Sequence, residues 1–153
     1  GVLIELHPDL YQQCVDTRSS PTINCACSNK IDLLKFVKYL EEPYGNSGLL
    51  KTFPNPGRLE QIKHEIIEFQ TKTLSSILES VNSPAYIDYL DIDVEGHEVQ
   101  VLESLDLNKY VFRVIGVECA IATEKFNRIC KILHPHVYVE SFLLGSDVLF
   151  MKV

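Results

Sequence analysis

Positive charge is scarce in this chain of 153 residues: 14 Lys and Arg stand against 21 Asp and Glu, for a formal net charge of −7. That balance supplies no electrostatic footprint for nucleic acid or for an anionic membrane. A neutral, nucleotide-like or sugar-like partner is easier to accommodate. Long apolar runs are missing as well, and none approaches the roughly 20 residues needed to span a bilayer. The five cysteines (Cys14, Cys25, Cys27, Cys119, Cys130) are odd in number and contain no CxxC pair. This argues against a structural zinc site and against a disulfide framework, and for a reducing, cytoplasmic setting. None of the seven glycines forms a GxG. There is no initiator Met and no signal or transit pattern, and the chain reads as entering a fold already under way.

What is present suffices for one domain over residues 1–153. Hydrophobic residues make up 46% of the chain, and a domain of this length buries about 70% of its unfolded surface. No internal repeat, low-complexity tract or second domain interrupts it. The opening VLIEL is strand-like, and Pro8 suits the first turn of a helix carrying Leu10, Tyr11, Cys14 and Val15 at helical spacing. Short strands are expected over 22–26, 33–40, 64–71, 86–92 and 111–119, and a final pair over 137–143 and 148–153. Helices are expected after Thr73, over 99–105 and over 124–133. Prolines and glycines crowd residues 42–58, which reads as a long loop or lid. Strands alternating with helices predict an α/β fold, a doubly wound, mostly parallel sheet whose last strand runs antiparallel.

The acids fall at strand ends, where open α/β sheets bind ligands. Glu5 closes the first strand, Asp93 and Glu95 follow the 86–92 strand, and Glu118 closes the next. Glu5 can be read as a ribose-binding carboxylate or as an acid near the start of the following helix. In YLDIDVEGHE, strand alternation puts Leu90, Ile92 and Val94 on one face and Asp91, Asp93 and Glu95 on the other, roughly 6.6 Å apart. Three carboxylates so spaced repel, which stability alone would avoid. They are either solvated past the strand, serving the helix dipole, or functional. DIDVEG resembles the start of an EF-hand loop, but position twelve is Leu102 where a bidentate Glu is required, so that reading fails. A looser divalent site at Asp93 and Glu95 stays open. His97 is either a general base or an exposed residue of the first helical turn.

Taken together, GVLIELHPDLY, NCACSN, GNSGL, TKTLSSIL and IDYLDIDVEGHEVQVLESL, in that order, resemble the FkbM family of S-adenosylmethionine-dependent methyltransferases. The most specific block is D-x-E-G-x-E at Asp93–Glu98. The resemblance implies a Rossmann-like methyltransferase fold and S-adenosylmethionine as cofactor. It implies that Glu5 holds the cofactor ribose beside His7, that Asn24, Cys25 and Ala26 line the adenine, and that Asp93 and Glu95, with His97, serve the reaction. Gly45 to Gly48 would lie beside the substrate opening. The implied reaction is O-methylation of a hydroxyl on a small molecule or sugar, with the 42–58 loop contributing to acceptor recognition.

The family's first strand and glycine-rich turn would precede Gly1, leaving a gap between the strand of Glu5 and that of Asp93. A missing segment or another chain is expected to complete the sheet. The competing readings are a non-catalytic, degenerate methyltransferase-like module and a divalent-metal-assisted enzyme using the same acids.

Overall fold

The computed structural model describes residues 1–41, 47–53 and 56–153. Punctuation in the chain sets its element boundaries. Leu3–Ile4 (β1) leads to the helix Pro8–Thr17 (α1). Pro8 occupies the first turn, where its missing N–H costs nothing. The His7 ring caps the helix, its Nδ1 accepting from the backbone N–H groups of Asp9 and Leu10 at 3.3 and 3.5 Å. The strand expected over 22–26 is instead two short ones, Thr22–Ile23 (β2) and Ala26–Cys27 (β3). Between them the Asn24 amide donates to the carbonyls of Glu5 and Leu6 at 2.8 and 2.9 Å.

Leu33–Tyr39 (β4) is a strand, as its β-branched and aromatic residues favour, followed by Gly48–Leu49 (β5) and His64–Lys72 (β6). Thr73 accepts the Ser76 N–H at 3.1 Å and so caps Leu74–Ser80 (α2). Then come Tyr86–Ile92 (β7), Glu98–Glu103 (α3), Val111–Glu118 (β8), Glu124–Leu133 (α4), Tyr138–Leu144 (β9) and Asp147–Lys152 (β10). The 42–58 stretch is not a bare loop where it is described. β5 pairs with β4, and 3-10 turns occupy Leu50–Thr52 and Pro56–Gln61. Gly45 lies outside the described residues.

The fold is mixed α/β, and among the described residues its strands form three ladders rather than one mostly parallel sheet. β1 runs parallel to β2. A second ladder, β3-β6-β4-β5, combines one parallel pair with two antiparallel ones. The third, β7-β8-β10-β9, pairs β7 and β8 in parallel, while β10 runs antiparallel to both β8 and β9. The antiparallel final strand is as expected. The mostly parallel winding is not, because β4 runs antiparallel to both β5 and β6.

β8 is central in its ladder and correspondingly buried. Phe112, Ile115 and Val117 meet Leu102 from α3 and Ile129 and Leu133 from α4 in the main core. Each such fully buried side chain contributes about 1.5–3 kcal/mol. A smaller cluster of Val37, Tyr39 and Phe53 sits beneath β4 and the segment after β5. Among the described residues no helix is long and apolar enough to cross a membrane.

Candidate active site

One cavity of about 260 Å³ collects most of the residues singled out in the sequence. Glu5, His7, Cys25 and Ala26 line it from the ends of β1 and β2 and the start of β3. Asp93, Glu95 and His97 line it from the turn after β7, and Ser47 and Gly48 close a third side. Asn24 is the exception. Its amide braces the Glu5–Leu6 backbone, so it shapes the wall from behind.

Glu5 is held at one oxygen, Oε1, which accepts the His7 N–H at 2.7 Å. Its other carboxylate oxygen has no protein partner among the described residues. The His7 ring is 2% exposed. With Nδ1 capping α1 and Nε2 3.4 Å from the Tyr39 carbonyl, its nitrogens are engaged in holding the wall. Burial pushes the thiol of Cys25 up and that of Cys27 to about 12, so both stay protonated and neither is a nucleophile.

β7 ends at Ile92, and the chain then turns through two consecutive left-handed residues, Glu95 at φ +51° and Gly96 at φ +95°. A left-handed conformation costs a non-glycine residue about 1–2 kcal/mol, and the surroundings of Glu95 hold it there. The Gly96 N–H donates to Glu98 Oε1 at 2.8 Å. Gly48 sits against Glu95 so closely that a Cβ on Gly48 would lie 3.3 Å from the Glu95 Cβ. The Asp91 carboxylate faces elsewhere and accepts the Tyr89 hydroxyl at 3.0 Å.

A second group of acids forms behind this turn. Carboxylate oxygens of Asp93, Glu98 and Glu118 lie within 4.8 Å of one another. Lys125, from the first turn of α4, places Nζ 3.0 Å from Glu98 and 4.0 Å from Glu118. The acids that converge are therefore not the Asp93–Glu95 pair, and an ammonium group already stands among them. Glu98 is 0% exposed.

Partial burial, followed by the charges of Asp147, Glu98 and Asp91, raises the Asp93 carboxyl above its usual range. Burial and then Asp93 raise Glu95, and burial and then Asp93 raise Glu118 as well. These groups bind protons more tightly folded than unfolded. Their contribution to stability is therefore full below the unfolded values of 3.8 and 4.5 and is lost as pH rises through the higher folded values. Glu95→Gln, which removes one such charge, should be at least as stable as the unaltered chain at about pH 7.5 and lose that advantage by about pH 4.5. Urea unfolding at the two pH values measures it; a variant equally destabilised at both would contradict the raised pKa.

His97 is not an exposed helical residue. It is 7% exposed, its Nε2 lies 3.0 Å from Ser28 Oγ, and its Nδ1 has no hydrogen-bond partner among the described residues. Burial lowers its pKa, so the imidazole is neutral near pH 7. Ser28 and Lys125 had no signal in the sequence, because their partners lie 69 and 27 residues away.

Neither the curated proteins nor the solved structures compared with this chain contain a match. A family model does: residues 1–140 match the methyltransferase FkbM domain, and a cavity edged by the acid after β1 and by the D-x-E-G-x-E turn after β7 belongs, on that match, to a member of the FkbM methyltransferase family.

Proposed function

We propose that the chain is an S-adenosylmethionine-dependent methyltransferase acting on a hydroxyl oxygen of a small molecule or sugar. The observation that carries this reading is the shared cavity. It joins Glu5, Cys25 and Ala26 on one wall to Asp93 and Glu95 on the other, within a chain of the FkbM methyltransferase family. Its volume of about 260 Å³ lies just below the roughly 300 Å³ at which pockets for drug-sized ligands begin. That suits a nucleoside better than a dinucleotide.

Glu5 fits the cofactor ribose, because its unpartnered oxygen can accept hydrogen bonds from two neighbouring hydroxyls while Oε1 stays tied to the His7 N–H. Asn24 keeps the Glu5–Leu6 backbone in place, and Cys25 and Ala26 supply a small, uncharged wall for a base. When bound, S-adenosylmethionine supplies a methyl group on a sulfonium already activated for in-line displacement. The protein's task is then alignment and removal of one proton. Asp93 takes the proton of the acceptor hydroxyl, and its raised pKa brings it nearer to that of an effective base at neutral pH. Glu95 orients the acceptor hydroxyl. His97, bonded to Ser28, is a positioning residue for the turn that carries both acids. The described part of the 42–58 segment, at Ser47 and Gly48, borders the acceptor side. A cytoplasmic location goes with this reading.

Calorimetric titration of the full polypeptide with S-adenosylmethionine tests it. Glu5→Ala should weaken binding about ten- to hundredfold, the size of charged hydrogen bonds worth about 1.5–3 kcal/mol. Unchanged affinity in that variant would remove the ribose assignment. Absence of any binding by the unaltered protein would favour the non-catalytic module.

A further inference from the structure

At the C-terminal end of α4, outside the residues that line the cavity, three side chains of metal-ligating type converge. Cys130 and His134 are four residues apart, and the helical hydrogen bond from His134 N–H to the Cys130 carbonyl persists at the C-cap. At that spacing both side chains project from one helix face. The chain then reverses through His134–His136, a 3-10 turn, and Val137, which adopts a left-handed φ of +55°. That conformation is an outlier for a β-branched residue. The reversal starts β9 and returns Glu140 to the helix end, where its Oε2 lies 2.9 Å from His134 Nε2. One ligand atom from each of Cys130, His134 and Glu140 falls within 4.8 Å of the other two.

We propose that Cys130, His134 and Glu140 bind a single divalent metal ion of the zinc class, which pins the C-terminal end of α4 to β9. The donor set is right for that metal: one thiolate, one imidazole and one carboxylate are each common zinc ligands. With metal–ligand bonds of about 2.0–2.3 Å, tetrahedral ligand atoms stand roughly 3.3–3.6 Å apart. The three atoms therefore need to shift by about an ångström or less. Water completes the fourth position, since His134 and Glu140 have side chains 47% and 44% exposed. The thiol proton of Cys130 leaves to solvent as the sulfur coordinates, and the metal takes the place between His134 Nε2 and Glu140 Oε2.

The site is independent of the methyltransferase reading. Lys125, the counter-ion of the acid cluster, precedes Cys130 by five residues on the same helix, about 7.5 Å along its axis. The ion would thus brace the helix that supplies that ammonium without touching the cavity.

Titrating the full chain with Co²⁺ under reducing conditions reads the site directly, because a thiolate bound to cobalt gives a near-ultraviolet charge-transfer band. The expected result is a band that saturates at one metal per chain, is displaced by Zn²⁺, vanishes in Cys130→Ser and His134→Ala, and persists in Cys14→Ser. Glu140→Gln should weaken cobalt binding by about tenfold or more. Circular dichroism confirms that each variant is folded, and these substitutions lie outside the fully buried core. A band that survives Cys130→Ser, that needs several equivalents, or that never forms would overturn the proposal.

Discussion

Asp93→Asn is expected to lower kcat for methyl transfer by about 10²–10⁴-fold, the usual worth of a positioned general base, while leaving the affinity for S-adenosylmethionine nearly unchanged. The substitution keeps the shape of the side chain and removes its ability to take a proton. The comparison needs an acceptor hydroxyl, found by screening small molecules and sugars with radiolabelled S-adenosylmethionine. The rate in the unaltered protein should rise with pH through the raised pKa of Asp93, whose carboxyl burial and the charges of Asp147 and Glu98 hold above its ordinary range. The variant should lose that limb. If Asp93→Asn keeps the full rate and Glu95→Gln does not, the proton goes to Glu95 instead.

The largest effect on stability is expected at Lys125. Replacing it with Met leaves Glu98, which is 0% exposed, without the ammonium 3.0 Å away. Breaking a buried ion pair from one side costs about 3–5 kcal/mol. Lys125 itself keeps contact with water, its side chain being 31% exposed, so the lower end, about 3 kcal/mol, is the expected loss. The Gly96 N–H still satisfies one oxygen of Glu98 in the variant, which also argues against a larger figure. Urea unfolding measures the loss, and Glu98→Gln added to Lys125→Met should recover most of it, because an uncharged partner no longer needs a cation. A single variant within about 0.5 kcal/mol of the unaltered chain, the scatter of ordinary surface changes, would mean that water compensates Glu98 unaided.

What could be read from the residues divides along sequence distance. The ends of β7 at Tyr86 and Ile92 and of α4 at Glu124 and Leu133 are where local alternation and the helical period put them. The acids after β7 were legible for the same reason: a run of three carboxylates spaced two apart is a local anomaly. The bracing role of Asn24 was not legible, because its amide reaches back 18 and 19 residues to the Leu6 and Glu5 carbonyls. His7 belonged to the right wall, but its capping and Tyr39 bonds depend on how α1 and β4 meet. The separate ladders were equally hidden, since pairing of β4 with β6 rather than with a neighbour across a helix is a tertiary choice that periodicity does not encode. The Lys125–Glu98 pair joins two helices 27 residues apart, and nothing near either residue announces the other.

The close approach of Gly48 to Glu95 brings together two pieces of chain that are distant in sequence. Among the described residues β5 pairs with β4 at Phe36–Leu49 and Val37–Gly48. A Cβ on Gly48 would lie 3.3 Å from the Cβ of Glu95, so the missing side chain at 48 leaves room for a carboxylate held in a left-handed turn. In the proposed reaction, a side chain at position 48 would therefore press on the turn that carries Asp93 and Glu95, so the backbone on the acceptor side of the cavity sets the shape of its acidic edge.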